Sequence, residues 1–115
     1  MNVDNAKSQM RKGMLEYCIM LLLKDKAYYT SDIIKRLQEA NLLVVEGTLY
    51  PLLTRLKNDG ILTYEWQEST QGPPRKYYVL TEDGKAALEQ LDAAWGELEN
   101  AVHNLKNKHL LLENN

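Results

Sequence analysis

The chain has 115 residues, 14 Lys+Arg against 16 Asp+Glu and a net charge of −2, which supports one modest domain with a large surface fraction. Its single cysteine, Cys18, excludes an internal disulfide and fits a reducing compartment. The longest apolar run, Cys18 to Leu23, falls far short of the roughly 20 residues of a membrane span, so a soluble, cytoplasmic protein with no membrane partner is expected.

Residues 1–7 are polar and expected to be loose. From about Ser8, the positions Met10, Met14, Leu15, Cys18, Ile19, Leu22 and Leu23 form a helical stripe that ends near Lys24-Asp25-Lys26. Cys18 lies on that stripe and reads as a buried filler rather than a reactive thiol. Tyr28 and Tyr29 lead into a second helix capped by Thr30 or Ser31, with Ile33, Ile34, Leu37 and Ala40 facing inward. A short strand is expected over Leu43 to Val45.

A third helix follows. Leu49, Leu52, Leu53 and Leu56 fall at i, i+3, i+4 and i+7, one buried stripe. Pro51, which lacks an N–H, suits a first turn and places the onset near Gly47 or Thr48. Gly60 supplies the left-handed residue that closes the helix. Two strands, Ile61 to Trp66 and Arg75 to Leu80, are then separated by a turn around Gly72-Pro73-Pro74, with Arg75-Lys76 at the tip end.

Thr81 caps a last helix whose first turn carries Glu82-Asp83. Leu88, Leu91, Trp95, Leu98, Val102 and Leu105 are spaced 3, 4, 3, 4, 3, and the spacing reaches His109 and Leu112. From Leu88 to Leu112 this helix would run ~36 Å at about 1.5 Å per residue. A small body cannot cover that length, so a homodimer built on these residues is expected.

The predicted fold class is mainly α with a small β hairpin (α+β). A winged helix-turn-helix spans residues 1–80, and a C-terminal dimerisation helix spans 81–115. In this layout the third helix enters a DNA major groove while the hairpin reaches the backbone. Charge follows the division. Residues 1–80 hold 11 Lys+Arg and 9 Asp+Glu (+2), whereas residues 81–115 hold 3 and 7 (−4). The DNA-contact candidates are Thr48, Tyr50, Pro51, Arg55, Lys57, Gly72, Arg75 and Lys76, with sequence preference relaxing on loss of Arg55 if that residue reaches a base edge.

Gly47-Thr48-Leu49-Tyr50-Pro51-Leu52-Leu53, Arg55-Leu56 and Gly60-Ile61-Leu62 resemble motifs of the PadR-like transcriptional regulators. So do Gly72-Pro73-Pro74-Arg75-Lys76-Tyr77-Tyr78, Leu80-Thr81 and Gly84, together with Lys12-Gly13-Met14-Leu15-Glu16 near the start. Thr30-Ser31 stand where that family often has Gly-Tyr. The resemblance implies a winged-helix regulator that dimerises through its last helix. Some members set a tryptophan of that helix against planar ligands between subunits.

Trp95, flanked by Ala93, Ala94 and Gly96, is the residue that matches, and a planar aromatic effector is its candidate ligand. The plainer reading is an aromatic that only packs. A sequence-specific, repressor-type regulator acting on a two-fold operator is therefore expected, and the other reading is a winged-helix protein-interaction module that does not bind DNA. No enzyme, cofactor or metal is expected. His103 and His109 are six apart and share no helical face, and neither a phosphate-cradling glycine loop nor a nucleophile elbow is present.

Overall fold

Ile19, Leu23, Ile33, Leu49, Leu53, Leu62 and Leu88 are the most fully buried large side chains, and they come from every helix and from the hairpin. This shared core defines the architecture. In the computed structural model, which describes residues 1–109, the chain forms α1 (Val3–Leu22), β1 (Tyr28–Tyr29), α2 (Thr30–Glu39), α3 (Glu46–Asn58), β2 (Leu62–Ser69), β3 (Gly72–Leu80) and α4 (Glu82–Lys106). Four helices and a three-stranded antiparallel sheet make the expected α+β winged helix-turn-helix, with α2–α3 as the helix pair and β2–β3 as the wing. No described helix is long and apolar enough to cross a membrane.

The start of the chain is helical rather than loose. The Asn2 side chain accepts the Asn5 N–H at 3.0 Å and caps α1, which therefore begins at Val3. Only Leu15, Ile19 and Met20 of α1 are buried, and Met10 stands in solvent. The expected stripe thus seats only its second half. Cys18 is half-buried against the core.

The third strand is not Leu43 to Val45. Tyr28 and Tyr29 pair with Tyr78 and Tyr77 and occupy the sheet edge beside β3. Residues 42–45 instead form the connection between α2 and α3 and bury Val44. Asn41, at φ 66°, takes the left-handed conformation, and the Leu42 N–H returns to the Leu37 carbonyl at 2.9 Å, closing α2. Since β1 runs straight into α2, the capping position falls on Tyr29, which makes no side-chain cap, and Thr30 and Ser31 are already helical.

The α3 helix starts at Glu46, so Pro51 lies in its second turn rather than its first. Proline cannot donate there, and the Gly47 carbonyl loses its usual helical partner. Gly60, at φ 78°, ends the helix, and the Ile61 N–H reaches back to the Leu56 carbonyl at 2.9 Å.

In the wing, Thr70 and Gln71 make the connection, and Gly72-Pro73-Pro74 belong to β3. Strand β1 pairs only with Tyr77 and Tyr78, so the outer edge of β3 over these prolines has no neighbour that needs their missing N–H. A register irregularity between Gln67 and Ser69 absorbs the rest.

The α4 helix is fastened at its base. The Thr81 hydroxyl accepts the Gly84 N–H at 2.9 Å and donates to the Gly60 carbonyl at 2.6 Å, while the Thr81 N–H binds the Ile61 carbonyl at 3.0 Å. A Cβ on Gly84 would overlap that same Ile61 oxygen, so glycine is required by close approach. Farther along, the Tyr17 hydroxyl donates to Asp92 at 2.5 Å. Leu88 is only 2% exposed and completes the core, whereas Leu91, Trp95, Leu98, Val102 and Leu105 are all exposed. The seam proposed from spacing is therefore open only beyond Leu88, which the body of its own chain already covers. Leu112 lies outside the described residues.

Candidate nucleic-acid interface

Leu49, Leu53 and Leu56 bind α3 to the core, and that fixes what its other faces present. Gly47, Tyr50, Pro51 and Thr54 are exposed, and at 100° per residue they share the outward half of the helix. Tyr50 and Thr54 open into a cleft of about 500 Å³ that is also lined by Tyr29, Thr30, Ser31, Glu46, Arg75, Lys76 and Tyr78. Four elements, β1, α2, α3 and β3, thus converge on one concavity. The first turn of α2 opens there with no side-chain cap, leaving N–H groups suited to an anionic oxygen.

The wing cations are held by aromatic rings. Arg75 lies 4.6 Å from the centre of the Tyr29 ring, and that ring packs 5.4 Å from Tyr77. Lys76 Nζ lies 4.5 Å from the Tyr64 ring and 5.3 Å from Trp66. From the end of α3, Lys57 Nζ reaches 5.5 Å from the same Tyr64 ring. Such contacts orient a cation without neutralising it, as a carboxylate would. The two wing cations are not at the tip, as the turn assignment had implied. Arg75 pairs across the hairpin with Gln67 and Lys76 with Trp66, well back from Thr70-Gln71, because the prolines extend the strand rather than turn it.

Other expected contacts lie outside this cleft. Arg55 forms an ion pair with Glu16 of α1, so its guanidinium is directed at the protein body. Thr48 and Pro51 border a second, apolar groove of about 770 Å³ with Leu15, Leu43, Val45 and Leu52. Gly72 is exposed and a Cβ there would meet nothing, so no close approach demands a glycine.

Spacing alone could have found Thr54, one turn beyond Tyr50. Tyr29 and Trp66 had no local signal, since long-range strand pairing places them, whereas Thr30 and Ser31 enter as the first turn of α2 rather than as its cap.

Trp95 is 39% exposed, and no atom of the chain would obstruct a Cβ on the neighbouring Gly96. Tyr17 is pushed up to about 12, chiefly by its hydrogen bond to Asp92. Burial pushes the Cys18 thiol up as well, the opposite of what a nucleophilic cysteine needs. Among the described residues, no three His, Cys, Asp or Glu side chains gather as a metal site requires.

Comparison with known proteins places this geometry. The sequence profile of the Transcriptional regulator PadR-like family matches residues 19–90. A PadR-like transcription factor from Bacteroides fragilis is 67% identical, with a TM-score of 0.75 over 88% of this chain and 98% of that one. A PadR family regulator from Eggerthella lenta is 31% identical, with a TM-score of 0.81 over 90% of each chain. Bacillus subtilis PadR, solved in complex with operator DNA, is 26% identical, with a TM-score of 0.62 over 67% of this chain and 45% of that one. These regulators are not enzymes. The chain belongs to the PadR-like family of transcriptional regulators.

Proposed function

We propose that this protein is a cytoplasmic, sequence-specific DNA-binding regulator that acts as a homodimeric repressor on a two-fold operator. The observation that carries the reading is the cleft shared by α2, α3 and the wing, where the uncapped start of α2, Tyr50, Thr54, Arg75 and Lys76 converge. Phosphate oxygens suit the α2 N–H groups and the wing cations, while the outward face of α3 is free to approach base edges. The related B. subtilis protein was solved in complex with operator DNA, which supports DNA as the partner.

Pairing rests on the exposed row Leu91, Trp95, Leu98, Val102 and Leu105, whose apolar side chains face solvent in the single chain. In this reading residues 81–115 form the dimerisation element and residues 1–80 the DNA-binding domain. Two α3 helices on one face of a duplex require half-sites about 34–36 Å apart, or a multiple of one turn. A planar aromatic effector stacks on Trp95 at the two-fold axis, where Ala93, Ala94 and Gly96 leave room. It acts by preferring one spacing of the paired helices over another.

The test is a mobility-shift titration of the purified protein on duplex from upstream of its own gene, across a range of salt. Two protected half-sites and an affinity that falls linearly on a log–log salt plot are expected. A folded protein that binds no duplex at low salt refutes the reading and leaves a protein-interaction module. Quenching by aromatic compounds that persists unchanged in Trp95→Ala would remove the effector site.

A further inference from the structure

Leu62 and Leu80, Tyr64 and Tyr78, and Trp66 and Lys76 are successive cross-strand pairs on one face of the hairpin. Along this face burial fades. Leu62, Leu80 and Tyr78 are buried, Tyr64 is half-buried, and Trp66 is 62% exposed. An indole in solvent is not required by the core, which ends at Tyr64. Yet the ring is fixed. It meets Tyr64 edge-on, with centroids 6.2 Å apart and planes at 88°, and Lys76 covers it at 5.3 Å.

The surroundings indicate what the ring faces. Lys57 and Lys76 both lie over Tyr64, so two ammonium groups and an exposed indole share one small surface. The ion pairs among the described residues are Arg36–Glu39, Arg55–Glu16 and Lys85–Glu82, and none neutralises this cluster. Glu65 pairs with Tyr77 on the opposite face of the hairpin. A partner must therefore present negative charge beside an apolar surface within a few ångströms. The sugar-phosphate rim of a duplex does this, with deoxyribose carbons next to phosphate oxygens. A second protein helix would be repelled by the same lysines unless it were acidic.

We propose that Trp66 is a DNA-contact residue. Its indole packs on deoxyribose beside the major groove entered by α3, while Lys57 and Lys76 take the flanking phosphates. This inference rests on the DNA-binding reading and adds a contact that is apolar, independent of sequence and insensitive to salt. The cations differ, because each phosphate neutralised contributes to the salt slope and an indole contributes nothing.

The experiment uses full-length Trp95→Phe, in which Trp66 is the sole tryptophan, together with Trp66→Ala and Lys76→Ala in the otherwise native chain. Adding duplex from upstream of the gene should change Trp66 emission saturably. Trp66→Ala should bind that duplex and an unrelated one about 5- to 30-fold more weakly, the loss from removing one well-packed aromatic contact, with its salt slope unchanged. Lys76→Ala should flatten the slope by about 1. Duplex binding by both wild type and Trp95→Phe with silent Trp66 emission in the latter, and Trp66→Ala within about twofold of wild type, overturns the proposal and leaves DNA binding intact. Emission that changes with protein concentration alone overturns it by assigning the ring to a protein contact. Absence of wild-type binding to any duplex removes both readings, and emission needs no variant at position 66, so a misfolded Trp66→Ala cannot obscure the result.

Discussion

Two tryptophans stand exposed on this small protein, and their neighbourhoods are opposites. Trp66, on the wing, lies under Lys76 with Lys57 across the Tyr64 ring. Trp95, on α4, is flanked along its helix by Leu91 and Leu98, with Asp92 and Glu99 beside them. Exposure alone would class both as unfinished core. The charge around each ring separates them, since cations beside an indole suit a polyanion while carboxylates rimming an apolar row exclude one and leave another apolar helix. Charge that is nearly balanced over the whole chain is thus resolved into two surfaces suited to different partners.

The largest break in this comparison should come from α4. Leu98→Asp combined with Leu105→Asp would bury carboxylates in the proposed seam, at a cost of several kcal/mol. Sedimentation at micromolar concentration should then find monomer, with circular dichroism unchanged because neither side chain enters the core of its own chain. Operator affinity should drop by about 100-fold or more, since two half-sites are no longer bound as one.

Gly84→Ala attacks the joint between the two regions. The added methyl overlaps the Ile61 carbonyl, and chemical denaturation should show a loss of about 1–3 kcal/mol. Wild-type stability would show that α4 can shift on its base. On the wing, Arg75→Ala and Lys76→Ala should each lower the salt slope by about 1 on every duplex tested, leaving dimerisation untouched. A slope unchanged in both would take the wing out of the interface.

The smallest effect belongs to Tyr17→Phe. The Tyr17 hydroxyl is raised to about 12 by donating to Asp92, so the stability it adds is present below about pH 10, the ordinary tyrosine value. That stability is lost as pH climbs through 12. Denaturation midpoints measured across this window should fall less steeply for the variant than for wild type. Parallel profiles would show that the hydrogen bond does not form in solution.

What could be read directly from the sequence was local. Leu49, Leu53 and Leu56 of the α3 stripe, the left-handed Gly60 and the Thr81 cap each depend on residues within a turn or two, and the structure places them as expected. Leu52 of the same stripe is only half-buried. The misplacements came from distant partners. Nothing near Tyr28 says that the edge of β3 is open to it. Leu88 fits the α4 row by spacing as well as Leu91 does, and only tertiary packing assigns it inward. Pro51 was misplaced for another reason. An exposed helix face tolerates the lost hydrogen bond, so proline did not mark the start.

The amides of Gly60 and Ile61 donate back to the Lys57 and Leu56 carbonyls and end α3, and the carbonyls of the same two residues receive the hydroxyl and amide of Thr81. One pair of residues therefore binds both helices, donating to α3 and accepting at the base of α4. In hydrogen exchange, the base of α4 and the end of α3 should open as a single cooperative unit, the amides of Thr81 and Gly84 releasing their protons at the rate of Ile61. The hairpin that separates them in sequence can fray at Thr70-Gln71 without disturbing that unit. A displacement of α4 should therefore be felt at the end of α3 before it is felt at the wing tip.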